Sequence, residues 1–116
     1  MPLSRFTFIV KASDYSPENH RATLSSANFT TVVIGVPDLA SAIHAAKEEA
    51  RSGAQLIELC GGFTKRDAMQ LRQQLPAGIP VGVVSYTEEQ EAEIASVLAR
   101  GERAQATARD EPEERA

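Results

Sequence analysis

From Thr30 onward the chain switches repeatedly between two hydrophobic periods, and this alternation restricts the fold more than any other feature. Thr30 to Val36 is β-branched almost throughout and reads as a buried strand. Asp38 is placed to cap a helix whose apolar stripe runs through Leu39, Ala42, Ile43, Ala46 and Ala50, with Gly53 as its stop. Gln55 to Cys60 reads as the next strand. Thr64 and Asp67 then form an approximate capping box, with Asp in place of the usual Glu or Gln. That helix carries Ala68, Leu71 and Leu75 on one side and ends at Pro76. Ile79 to Tyr86 is a further strand, and Thr87 with Gln90 is a capping box for a last helix with Ile94, Val97 and Leu98 inward.

Strand-helix-strand units build parallel sheets with right-handed crossovers. With Phe6 to Ala12 as a first strand, the expectation is an α/β fold: a small single domain with a four-stranded, mainly parallel sheet and about three helices. If the strands lie in sequential order, the helices fall on one face and something else covers the other, most simply a second subunit. If the first strand inserts and reverses the order, the sheet is doubly wound. Residues 13–29 are ambiguous. Ser16-Pro17-Glu18 suits a helix start, and Arg21 to Leu24 suits a small strand. The reading adopted is an ordered loop with a helical turn. The domain is expected to span residues 1–100, with residues 101–116 a charged, disordered tail.

Charge is unevenly spread. From Glu88 to the end there are nine acids and four bases, against seven acids and eight bases before it. The acidity therefore sits in the last helix and tail, and no basic patch suits nucleic acid. Aromatic residues make up 5% of the chain, too few for a base-stacking platform. No apolar run reaches the roughly 18 residues of a membrane span, and the N-terminal apolar run is too short for a signal peptide. A single cysteine cannot form an internal disulfide, which fits a reducing cytoplasm. One Cys and two His match no zinc spacing, so neither a metal nor another cofactor is expected.

Leu56 to Thr64 is the best candidate for a site. It places a carboxylate, Glu58, in a strand that reads as buried, and the lone Cys60 two residues later. The period of two puts both on one face. Burial of Glu58 would favour its neutral form and suit acid/base work, unless an arginine such as Arg21 satisfies it. Cys60 precedes a glycine turn and a helix start with Lys65 and Arg66, a setting that favours thiolate. Gly61 and Gly62, with Thr64 at the helix start, would expose N–H groups to a carboxylate or phosphate. No Walker motif, dinucleotide fingerprint or nucleophile elbow is present.

His20 and Arg21, with Asp14 and Tyr15 in the same ambiguous segment, would cap the site and hold an anion. Tyr86, at the end of the last strand, is placed to line a pocket. His44 shares a helix face with Lys47, Glu48 and Arg51 and is set aside as solvated.

Phe8-Ile9, Asp14-Tyr15, Pro17-Glu18, His20-Arg21, Thr31 to Val33, Gly35-Val36, Ile57 to Phe63 and Ile79 to Gly82 together resemble a family of short bacterial proteins known as a domain of unknown function. The resemblance covers roughly residues 6–87, and Glu58 to Phe63 is its most specific part. It implies a compact cytoplasmic α/β domain with no activity to carry over. After Phe63 the resemblance calls for a further glycine, where this chain has Thr64. More distantly, Gly53 to Val84 resembles a piece of a phosphate-binding barrel, a likeness of fold alone.

Two functions follow as expectations. The first is a small cytoplasmic enzyme of proton-transfer type, a lyase, isomerase or cyclase acting on an anionic or carbonyl-containing metabolite. Glu58, Cys60 and His20 would be its catalytic groups; Arg21, Gly61, Gly62, Thr64, Tyr86, Asp14 and Tyr15 would bind. The second is a non-catalytic ligand-binding or homo-oligomeric assembly module, most simply a dimer. A redox-sensing Cys60 is a third reading.

Overall fold

The computed structural model describes residues 2–110, with side chains through residue 102, and the described chain divides after Val84 into two units. The first holds β1 (Arg5–Lys11), β2 (Arg21–Ser25), β3 (Thr30–Val36), α1 (Leu39–Arg51), β4 (Leu56–Leu59), α2 (Lys65–Gln73) and β5 (Val81–Val83). The second holds α3 (Glu88–Asp110). Residues 111–116 of the expected tail lie outside the described residues.

The sheet has five strands rather than the expected four, in the order β2-β3-β1-β4-β5. All pairings are parallel except β2 with β3. The extra strand, Arg21–Ser25, corrects the reading of that stretch as loop. Its apolar content is slight, so periodicity carries no signal there, and pairing with β3 decides its form. The helical turn is present just before it: the amides of Asn19 and His20 both donate to the Ser16 carbonyl.

The first strand does insert, between β3 and β4, yet the sheet is not doubly wound. The series β3-α1-β4-α2-β5 moves in one direction across the sheet. Right-handed crossovers therefore place α1 and α2 on the same face. The inserted strand precedes that series and reverses nothing in it.

Under the helices lies one core. Ile9, Val32, Ile34, Val36, Ile57 and Leu59 point into it and are at most 3% exposed. Ala42, Ala45 and Ala46 let α1 approach closely, and α2 contributes the buried Ala68 and Leu71. By alternation the other face carries Phe6, Phe8 and Val10 from β1, Val33 and Gly35 from β3, and Leu56 and Glu58 from β4. No helix of the first unit covers it.

The caps match the sequence. Asp38 Oδ1 accepts the Ser41 amide at 2.8 Å. Thr64 and Asp67 exchange both bonds of the capping box, at 3.0 and 2.9 Å. Gly53 follows α1 at φ +100°, a conformation that favours glycine. The last strand is shorter than expected, Val81–Val83; at its start Gly78 turns and Pro80 lacks an amide. In α3, the Gln90 amide donates to Thr87 Oγ1 at 3.4 Å, half of the expected box. Val97 and Leu98 are 50% and 60% exposed, not inward. A stripe that narrow sets which side of a helix is apolar, not what covers it. No helix of the described residues is long and apolar enough to cross a membrane.

Candidate functional site

The carboxyl ends of β1, β3 and β4 meet at one edge of the sheet, where the sequence pointed. Ala12 N donates to Val36 O, and Cys60 N donates to Ile9 O. At that edge the Cys60 thiol is half-buried, and its Sγ accepts the Lys11 amide at 3.3 Å. The Lys11 ammonium sits 5.2 Å from the centre of the Phe63 ring. Lys11 is a neighbour that sequence reading missed, because β1 brings it from 49 residues away. The Cys60 carbonyl accepts the Phe63 amide at 3.1 Å, closing a turn over Gly61 and Gly62. Neither glycine has positive φ, so the turn does not require them by conformation.

The helix starts at this edge are already occupied. Asp38 supplies its own carboxylate to α1. The Ser41 amide, helped by the Ser41 hydroxyl, holds that carboxyl below its ordinary value of 3.8. Thr64 and Asp67 fill the start of α2 with their capping box. An arriving anion would compete with a carboxylate in both places, which weakens the cradle expected of Gly61, Gly62 and Thr64.

Glu58 lies on the helix-free face, half-buried, in register with Phe8 on one side and Gly82 on the other. Among the described residues it has no ion pair. Arg21 does not satisfy it, since the Arg21 guanidinium passes to the helix side and meets Glu49 at 3.3 Å. Glu49 is 6% exposed and also accepts Thr7 Oγ1 at 2.9 Å and Arg5 at 3.5 Å. This buried cluster is the strongest polar feature of the core, and sequence reading missed it. The signal was present, because Glu49 follows Ala42, Ala45 and Ala46 on the apolar stripe of α1. Arg21, Thr7 and Arg5 tie β2 and β1 to that helix.

On the helix-free face a hollow of about 300 Å³ opens between the segment after β1 and strands β2 and β3. Val10, Ala22, Val33 and Gly35 line its floor, and Tyr15 and His20 form one wall. Their rings stack with centroids 4.9 Å apart. Tyr15 lies so close over Gly35 that any Cβ there would collide with the ring, which is why this strand position is glycine. The Gly35 amide donates to the His20 carbonyl at 2.7 Å. His20 Nδ1 accepts the Ser16 amide at 2.9 Å, which leaves the ring proton on Nε2 as a donor. His20 is thus held in one orientation by the Ser16 amide.

The sequence-derived residues therefore fall into separate groups. Tyr15, His20 and Arg21 meet at the hollow. Glu58 on β4 and Cys60 just past its end lie on the far side of β1, whose Val10 belongs to that floor. Asp14 is exposed in the turn after β1. Tyr86 is 43% exposed and belongs to the second unit. A second hollow of about 350 Å³ lies on the helix side, lined by Glu18, Arg21, Ser41, His44 and Glu48 among others. There Arg21 is engaged by Glu49, and the two glutamates oppose an anion. No group of three His, Cys, Asp or Glu side chains suited to a metal ion occurs among the described residues.

Fold and site together define a small two-layer α/β domain whose candidate groups lie on the sheet face opposite α1 and α2. Residues 4–99 match the family of unknown function DUF6506, and the chain belongs to that family. No curated protein and no solved structure matches it.

Proposed function

We propose that this chain is a small-molecule binding module that works through the helix-free face of its sheet. The observation that carries the reading is the hollow under Tyr15 and His20. Its floor is apolar, its wall is a stacked aromatic pair, and its polar lining includes His20, whose Nδ1 accepts the Ser16 amide, and Asn19, whose Nδ2 donates to Ser16 Oγ. Ligand sites combine these elements: apolar walls and few fixed polar groups. About 300 Å³ is at the small end of such sites, so the ligand is a small planar molecule, uncharged, with an acceptor such as a carbonyl. A carbonyl-containing metabolite fits this description and an anion does not, because Arg21 is held by Glu49.

The test is a fragment screen on the full chain followed by amide NMR. Small planar carbonyl compounds are expected to shift Val10, Ala22, Val33 and Gly35 together. Ala22→Phe, which fills the hollow at an exposed position, is expected to abolish those shifts. Compounds that bind without moving these four signals would overturn the reading.

A second reading is a proton-transfer enzyme with Glu58 and Cys60 as its acid/base groups. It is favoured by their shared face and by the Lys11 amide that Cys60 Sγ accepts at 3.3 Å. Alkylation of Cys60 against pH tests it. A fast reaction with an apparent pKa well under the ~8.5 of a free thiol supports it, and no reaction before unfolding removes it.

A further inference from the structure

The two edges of the sheet differ in how they are protected. The β5 edge is three residues long and begins after Pro80. The β2 edge is five residues long and exposed throughout. From Ala22 to Pro37 the chain carries no charged residue, and no proline interrupts β2. Natural sheets blunt an open edge with charge, proline, a bulge or brevity, and β2 has none of these beyond Arg21 at its start.

Register shows what the open edge offers. The Gly35 amide donates to His20 O and the Ser26 amide to Phe29 O, one ladder bond at either end of β2, while the His20 amide turns to Ser16 O and the Phe29 amide to Ser26 Oγ. Bonded and non-bonded pairs alternate in an antiparallel ladder. Ala22 with Val33 and Leu24 with Thr31 are therefore bonded, and Arg21, Thr23 and Ser25 turn their N–H and C=O groups outward.

We propose that two copies of this chain join through β2, antiparallel about Thr23, into one continuous ten-stranded sheet. The outward groups are self-complementary in this register. Thr23 exchanges two bonds with the partner's Thr23, and each Arg21 exchanges two with the partner's Ser25, about six main-chain bonds in all. On the helix-free face Ala22 meets the partner's Leu24, small against large; Leu24 is 70% exposed in the single chain. On the helix side Thr23 meets Thr23, and no like charges face each other. The register that would place Arg21 opposite Arg21 is rejected by repulsion. The partner's Leu24 also extends the floor of the hollow beyond Ala22, but the pairing stands whether or not the hollow binds a ligand. Five residues make a small interface, so the dimer dissociates on dilution, with Kd on the order of 10–100 μM.

The test is sedimentation equilibrium of the full chain over a concentration series, together with amide exchange by NMR. The wild type is expected to move from the 12.5 kDa monomer to twice that mass as concentration rises. The amides of Arg21, Thr23 and Ser25 should gain protection in step, while those of Ala22 and Leu24 stay protected throughout. Thr23→Pro removes an outward amide that β3 does not use and should abolish the dimer. Thr23→Lys, which sets two cations against each other, should do the same if the proline variant fails to fold. A chain that stays monomeric to about 1 mM would overturn the proposal. So would a dimer unchanged by Thr23→Lys, or one in which the odd-numbered amides of β2 exchange freely.

Discussion

The two faces of one sheet divide the work of this domain. The face under α1 and α2 is filled by Ile9, Val32, Ile34, Val36, Ile57 and Leu59, all but fully buried. The opposite face is made by the residues between them, and it is only partly covered. There the chain places Tyr15, His20, Glu58 and Cys60, the groups with chemistry to offer. Alternation explains the split: each strand gives every second residue to stability and leaves the others for contact. A buried face tolerates little change of volume, whereas a half-open face can vary its side chains and keep the fold.

The sharpest way to break this comparison is a pair of neighbours on β3. Ile34→Ala is expected to cost about 3 kcal/mol, since its side chain is fully buried and leaves a cavity. Val33→Ala, one residue away on the other face, should cost less than about 1.5 kcal/mol. Urea unfolding of both variants measures the contrast, and equal losses would mean that the second face is also sealed. Next in size is Glu49→Ala, expected to cost about 2 kcal/mol by stranding Thr7, Arg5 and Arg21; the partial exposure of both arginines keeps it below a fully buried pair. Glu49→Gln should lose less, because it can still accept from Thr7.

Gly35→Ala is expected to cost about 1 kcal/mol by displacing the Tyr15 ring. Adding Tyr15→Ala to it should recover stability, and a double-mutant cycle reads the coupling. The smallest effect is electrostatic. The Asp38 carboxyl lies below its ordinary value in the folded chain, so its ionised cap contributes fully above the unfolded value. That contribution is lost as the pH falls through the lower folded value. Asp38→Asn keeps a capping side chain without the charge, and its stability should converge with wild type only at the acidic end. A constant difference down to that end would assign the effect to geometry.

Much of the covered face was legible. Thr30–Val36, the Asp38 cap, the Thr64–Asp67 box and the inward Ala68, Leu71 and Leu75 are local signals, each set within a few residues. β2 was not, because an edge strand with one large apolar residue has no period to read. Nor was the partner of Arg21: both Glu49 and Glu58 carry the right charge, and only the crossover of α1 over β1 and β3 selects Glu49.

By itself the sequence determined the elements other than β2, the caps of α1 and α2 and the residues buried under those helices, since these rest on periodicity and on bonds within a turn. It also determined that Glu58 and Cys60 share a face. Tertiary structure alone decided that β1 inserts between β3 and β4, and that both helices fall on one side. It also brought Lys11 to Cys60, and Tyr15 and His20 to Gly35. These contacts join residues far apart along the chain, and the pattern of a single segment holds no record of which distant segment will lie beside it.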